Sequence, residues 1–136
     1  MIREEMKKIL IADDDEQMVK AMKVLLEKAS FKTVSTNDPK EVIPLAKKEK
    51  PHLIILDIMF DGITGPDGFE ISRRISADKE LSSIPVIVLS GVKKIISSDF
   101  EVEPDREWMP VAAFIDKPVL PDQLLKTIND LISKRS

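Results

Sequence analysis

The 136-residue sequence has no cysteine, no tyrosine, one histidine and one tryptophan. The missing cysteine excludes disulfides, thiolate nucleophiles and sulfur-ligated metals together, and suits a reducing compartment. Positive charge is in no surplus either. Lys and Arg number 21 against 24 Asp and Glu, a net charge of -3, so no bulk positive field draws the chain toward phosphate backbones or anionic lipid. Long apolar runs are also absent. The longest uncharged stretch, Leu81 to Val92, holds three serines and falls far short of the roughly 20 apolar residues of a membrane span. Met1 to Lys8 is charged where a secretory leader would be apolar. These absences predict a cytoplasmic protein that neither binds nucleic acid nor inserts into a membrane.

What is present reads as one folded unit. The length matches one domain of about 150 residues, and the 43% hydrophobic content is that of a globular chain. We therefore expect a single domain over residues 1–136, its core over about 6–133, with no room for an output domain. Five short apolar runs rich in branched residues are candidate strands: Ile9–Ala12, Lys32–Ser35, Leu53–Leu56, Ile84–Leu89 and Ala112–Ile115. Three are continuous apolar blocks, as strands read when helices cover both faces of a parallel sheet, and the weak run around Val34 suits an edge. Helical spacing appears at Met18, Met22, Leu25, Leu26 and Ala29, after Gly68 at Phe69, Ile71 and Ile75, and at Leu124, Leu125, Ile128, Leu131 and Ile132. Asp15 and Asp122 stand where N-caps or first-turn carboxylates belong, and Asp38-Pro39 pairs a cap residue with a proline suited to a first turn. Strands alternating with helices predict a doubly wound α/β fold. Between Gly91 and Val111, Pro104 and Pro110 confine any helix to the first part, and the second half is acidic.

In an open parallel sheet, ligands bind beyond the carboxyl ends of the strands. The first run is followed by Asp13-Asp14-Asp15, the third by Asp57, the fourth by Ser90-Gly91 and the fifth by Asp116-Lys117-Pro118. Carboxylates brought this close repel strongly and call for a cation. With oxygen ligands only, Mg²⁺ or Mn²⁺ suits the cluster better than zinc or copper. A carboxylate beside such an ion and an ammonium can attack phosphorus. Asp57 is the candidate nucleophile, with Ser90 and Lys117 as partners for phosphoryl oxygens.

Over nearly its whole length the chain resembles the receiver domain of bacterial two-component response regulators, of the single-domain chemotaxis and sporulation kind. The residues that carry the likeness are Asp13-Asp14, Asp57 after Leu53-Ile54-Ile55-Leu56, Ser90 after Ile84-Pro85-Val86-Ile87-Val88-Leu89, and Lys117-Pro118. The resemblance implies a flavodoxin-like sheet of order 2-1-3-4-5, the order that receivers of this type illustrate. It implies that Asp57 is the phosphoacceptor, that Mg²⁺ is held by Asp14, Asp57 and the Met59 carbonyl with Asp13 acting through water, and that Lys117-Pro118 is a cis peptide. It also implies a switch in which Ser90 moves toward the phosphoryl group while Phe114 turns inward, a shift between two packings. The donor would be a sensor histidine kinase or a histidine phosphotransfer protein. The protein would be a signalling receiver that catalyses only its own phosphorylation and dephosphorylation.

Several residues depart from the family pattern. The segment 58–68 is longer than usual and has Asp61 where a proline is typical. The stretch from Ser90 to Lys117 is also long and holds Trp108, a partner anchor or a cover for the sheet edge. Met59 and Val92, which border the acyl phosphate in the family, are apolar here and predict a long-lived phosphoryl group. His52 precedes the third run and reads as a solvated loop residue. A Mg²⁺-dependent phosphohydrolase with an aspartyl nucleophile is the rival function, but Met59 stands where that class usually has a second aspartate. A flavin site on the same fold is disfavoured by the acidic first loop and the lack of tyrosine.

Overall fold

A computed structural model of the chain describes residues 6–57, 68–90, 112–116 and 118–135, with the backbone alone for Gly68, Phe69, Ser90, Asp116, Lys134 and Arg135. The first strand, β1 (Lys8–Ala12), has no exposed surface from Ile9 to Ala12, because both of its faces are covered. Its partners follow in chain order: β2 (Lys32–Thr36), β3 (Leu53–Asp57), β4 (Val86–Ser90) and β5 (Ala113–Asp116). All four pairings are parallel and the order is β2-β1-β3-β4-β5, as the resemblance implies. The half-buried β2 lies at an edge, whereas β3 is buried throughout.

Alternation along the strands sorts the core into two halves. Ile9, Ile11, Leu53, Ile55, Ile87, Leu89 and Ile115 pack with Met22 and Leu26 of α1 (Glu16–Lys28) and with Leu124 and Ile128 of α4 (Pro121–Arg135). Leu10, Ala12, Ile54, Leu56, Val86 and Val88 face the other way, onto Val42 and Ala46 of α2 (Val42–Glu49) and Ile71 and Ile75 of α3 (Gly68–Ala77). A 3₁₀ turn, Pro39–Glu41, leads into α2, with the Asp38 side chain accepting a hydrogen bond from the Lys40 N–H as its cap. The final helix runs to Arg135, beyond the apolar stripe that predicted it.

The fourth strand starts at Val86, two residues later than the apolar run. Pro85 has no N–H to offer a ladder, yet its carbonyl accepts a hydrogen bond from the Ile54 N–H at 3.0 Å. His52 departs further from expectation. It is half-buried at the amino-terminal edge of β3, its own N–H donates to the Lys8 carbonyl at 2.8 Å, and its Nδ1 accepts from the Lys8 N–H at 3.0 Å. Both main-chain groups of Lys8 are therefore satisfied by one residue. The Lys8 ammonium also reaches Glu49 Oε1 at 2.9 Å, and its hydrogen bond holds the Glu49 carboxyl below the usual range. Lys47 ties α2 to Asp78, just past α3, at 2.9 Å.

Candidate functional site

The carboxyl ends of β1 and β3 lie side by side because Ala12 pairs with Leu56 in register. Asp57, the last residue of β3, and Asp13, the first after β1, therefore become neighbours. Pairing between β1 and β2 continues past the strand end, since the Asp13 N–H donates to the Thr36 carbonyl at 3.2 Å. The chain then turns. The Asp15 N–H donates to Asp13 Oδ1 at 2.9 Å, and Asp15 Oδ1 accepts from the N–H groups of Gln17 and Met18, each at 3.1 Å. Asp15 is thus the N-cap of α1.

Asp13 and Asp57 are 1% and 3% exposed, whereas Asp14 is open to solvent. Each offers one carboxylate oxygen, and the three oxygens lie within 4.8 Å of one another. At that spacing a pair of full charges repels by about 3 kcal/mol at an effective dielectric near 20. Three oxygen donors, two of them deep and one facing water, suit a hard divalent cation that keeps part of its hydration shell. No sulfur or imidazole donor belongs to the cluster, so the donor set fits Mg²⁺ or Mn²⁺.

The other expected participants are placed less fully. Ser90 ends β4, one residue beyond the Asp57–Leu89 pair, and its backbone is in register with Asp116 of β5. That puts it at the same rim, while its side chain lies outside the described residues. Lys117, Met59, Asp61, Val92 and Trp108 lie outside them as well. Phe114 lies on β5 in register with Val88, half-buried against the core half that contains Leu10 and Leu56. The Thr36 carbonyl and the Asp15 N–H were not singled out from sequence. Any residue has both groups, so only the backbone path reveals their use; the run Asp13-Asp14-Asp15 marked the place but not the bonds.

Residues 9–129 match the response regulator receiver domain family. The chain is 30% identical over 131 residues to Protein PilH of Pseudomonas aeruginosa, covering 94% of this chain and 99% of PilH. It is 27% identical over 129 residues to the polar-differentiation response regulator DivK of Brucella anthropi, covering 93% of this chain and 96% of that one. In structure it is similar to the receiver domain of a sensor histidine kinase from Pseudomonas aeruginosa, which has a magnesium ion coordinated in its active site cleft; the TM-score is 0.78 at 17% identity, over 95% of this chain and 99% of that one. The sheet order, the acidic cluster at its carboxyl rim and the matched sequence agree: this chain belongs to the response regulator receiver domain family and is a signalling receiver activated by phosphorylation.

Proposed function

We propose that Asp57 is the phosphoacceptor of this receiver and that the reaction depends on Mg²⁺, with Mn²⁺ able to substitute. The observation that carries the reading is the meeting of the Asp13, Asp14 and Asp57 carboxylate oxygens within 4.8 Å. Asp14, Asp57 and the Met59 carbonyl would hold the ion, and Asp13 would contribute through water. Bound there, the cation neutralises the acidic groups and the incoming phosphoryl oxygens.

The chain's own residues do the rest. A carboxylate oxygen of Asp57 attacks the phosphorus of a phosphohistidine on a sensor histidine kinase or phosphotransfer protein; the O–P bond forms as the P–N bond breaks, and the imidazole leaves. Ser90 donates its hydroxyl to one phosphoryl oxygen and Lys117 pairs with another. Water attack on the same phosphorus later releases inorganic phosphate, so the only chemistry catalysed is on the protein itself. The apolar Met59 and Val92 slow that step. Ser90 and Phe114 form the switch, supported by the half-buried setting of Phe114 on β5. A cytoplasmic setting accords with the lack of cysteine and with the absence, among the described residues, of a helix long and apolar enough to cross a membrane.

Incubation with acetyl phosphate and Mg²⁺, followed by intact mass measurement, tests the assignment. One added phosphoryl group is expected, abolished by chelator and by Asp57→Asn. An adduct that survives Asp57→Asn rejects the acceptor, and steady phosphate release from small organic phosphates favours the phosphohydrolase instead.

A further inference from the structure

Asp15 is not a member of the acidic cluster, yet it touches both the cluster and the helix behind it. Its backbone N–H holds Asp13 Oδ1 at 2.9 Å, while its carboxylate accepts from two N–H groups of the first turn of α1. Its backbone, at φ -84 and ψ 101, is extended rather than helical, so residue 15 is where the chain changes direction between strand and helix. The Asp13 N–H is held by the Thr36 carbonyl of β2, and its carboxylate accepts from the Asp15 N–H. The main-chain bond at Thr36 is indifferent to the side chain there. The hold through Asp15 depends on a side chain, because the carboxylate that caps α1 fixes the direction of the N–H that steers Asp13. Asp14, the exposed member of the cluster, lies inside the same turn.

We propose that Asp15 is a positioning residue for the cation site: by capping α1 it locks the turn that aims the Asp13 and Asp14 carboxylates toward Asp57. The inference rests on the reading of that cluster as the Mg²⁺ site. It assigns the third aspartate of the run a job that its charge alone does not do, since any side chain with a suitable acceptor would perform it.

The test is Mg²⁺ affinity of the full chain by isothermal titration calorimetry, with melting temperature in chelator measured alongside. Asp15→Ala is expected to weaken Mg²⁺ binding about tenfold, as losses of groups that orient metal ligands commonly do. Asp15→Asn and Asp15→Ser keep an acceptor and are expected to bind within about twofold of the parent chain, although both lack the charge. Asp15→Gly is tolerated at N-caps with little loss of helix stability, so it is expected to fold while binding as weakly as Asp15→Ala. Ala21→Gly loosens the exposed middle of α1 without touching the turn and is expected to leave affinity unchanged. The proposal is overturned if Asp15→Ala and Asp15→Gly bind like the parent. It also fails if Asp15→Asn is as weak as Asp15→Ala, which would make the effect one of charge, or if Ala21→Gly is equally weak, which would make it general fraying. A parent chain that does not bind Mg²⁺ at all overturns the cation-site reading itself, and this inference with it.

Discussion

At the scale of single residues, the buried Asp13 and Asp57 lie beside Asp14, and the mutual repulsion of their carboxylates is one contribution that opposes folding when no cation is present. Replacing Asp13 by Asn removes one of the mutually repelling charges and keeps an oxygen that can accept from the Asp15 N–H. In chelator, Asp13→Asn is therefore expected to stabilise the chain by about 1–3 kcal/mol, a share of the pairwise repulsion. Urea denaturation in EDTA reads this directly, and a lowered midpoint would show that the neighbours of Asp13 require its charge. The three cluster residues were legible in the sequence because Asp13 and Asp57 each directly follow an apolar run and Asp14 is next to Asp13. His52 was not. Its role depends on an N–H that lies 44 positions earlier in the chain, and no local pattern announces such a bond.

At the scale of elements, apolar runs located each strand to within two residues and helical stripes located α1, α3 and the middle of α4, whereas α2 was marked only by the cap at Asp38-Pro39. The errors have specific causes. The shortened β4 reflects the missing N–H of Pro85, and the 3₁₀ entry to α2 reflects Asp38-Pro39, which the sequence marked only as a helix start. Helix ends without glycine were also hard to see. After α1 the Ser30 N–H donates to the Glu27 carbonyl and the Phe31 N–H to the Leu26 carbonyl, a Schellman stop that puts Ser30 at φ 72. Phe31 and Leu26 then pack in the same half of the core. A left-handed backbone is costly for a residue with a Cβ, so Ser30→Gly is expected to stabilise the chain by about 0.5–1 kcal/mol. Thermal melts check this. A fall in melting temperature would mean that the freedom glycine adds to the unfolded chain outweighs the relieved strain.

At the scale of the whole molecule, the sequence carried the fold class, but the strand order came from family likeness, because periodicity does not say which parallel strand lies beside which. Long-range ties between elements were equally invisible. Lys8–Glu49 joins β1 to the end of α2, and Lys47–Asp78 joins α2 to the chain beyond α3. Hydrogen bonds from Lys8, from Lys47, and from Arg73 with Arg74 hold the carboxyls of Glu49, Asp78 and Glu70 below their usual range, while Asp78 raises Lys47 above its own. Groups depressed in this way contribute stability above the unfolded carboxylate pKa of about 4 and lose it as pH falls through the folded value. The raised lysine contributes below its unfolded pKa of about 10.4 and loses that contribution as pH rises past the folded one. The urea midpoint of the parent relative to an Asp78→Asn variant is therefore expected to hold steady between about pH 6 and 8 and to converge on that of the variant below about pH 4. A difference that persists on acidification would contradict the depressed Asp78 carboxyl.

The pairing of Ala12 with Leu56 has one more consequence. Residues 13 and 57 are distant along the chain and that ladder brings them side by side, so an unfolded copy has no assembled acidic cluster. On the function proposed above, uptake of a phosphoryl group would then report that the sheet has formed.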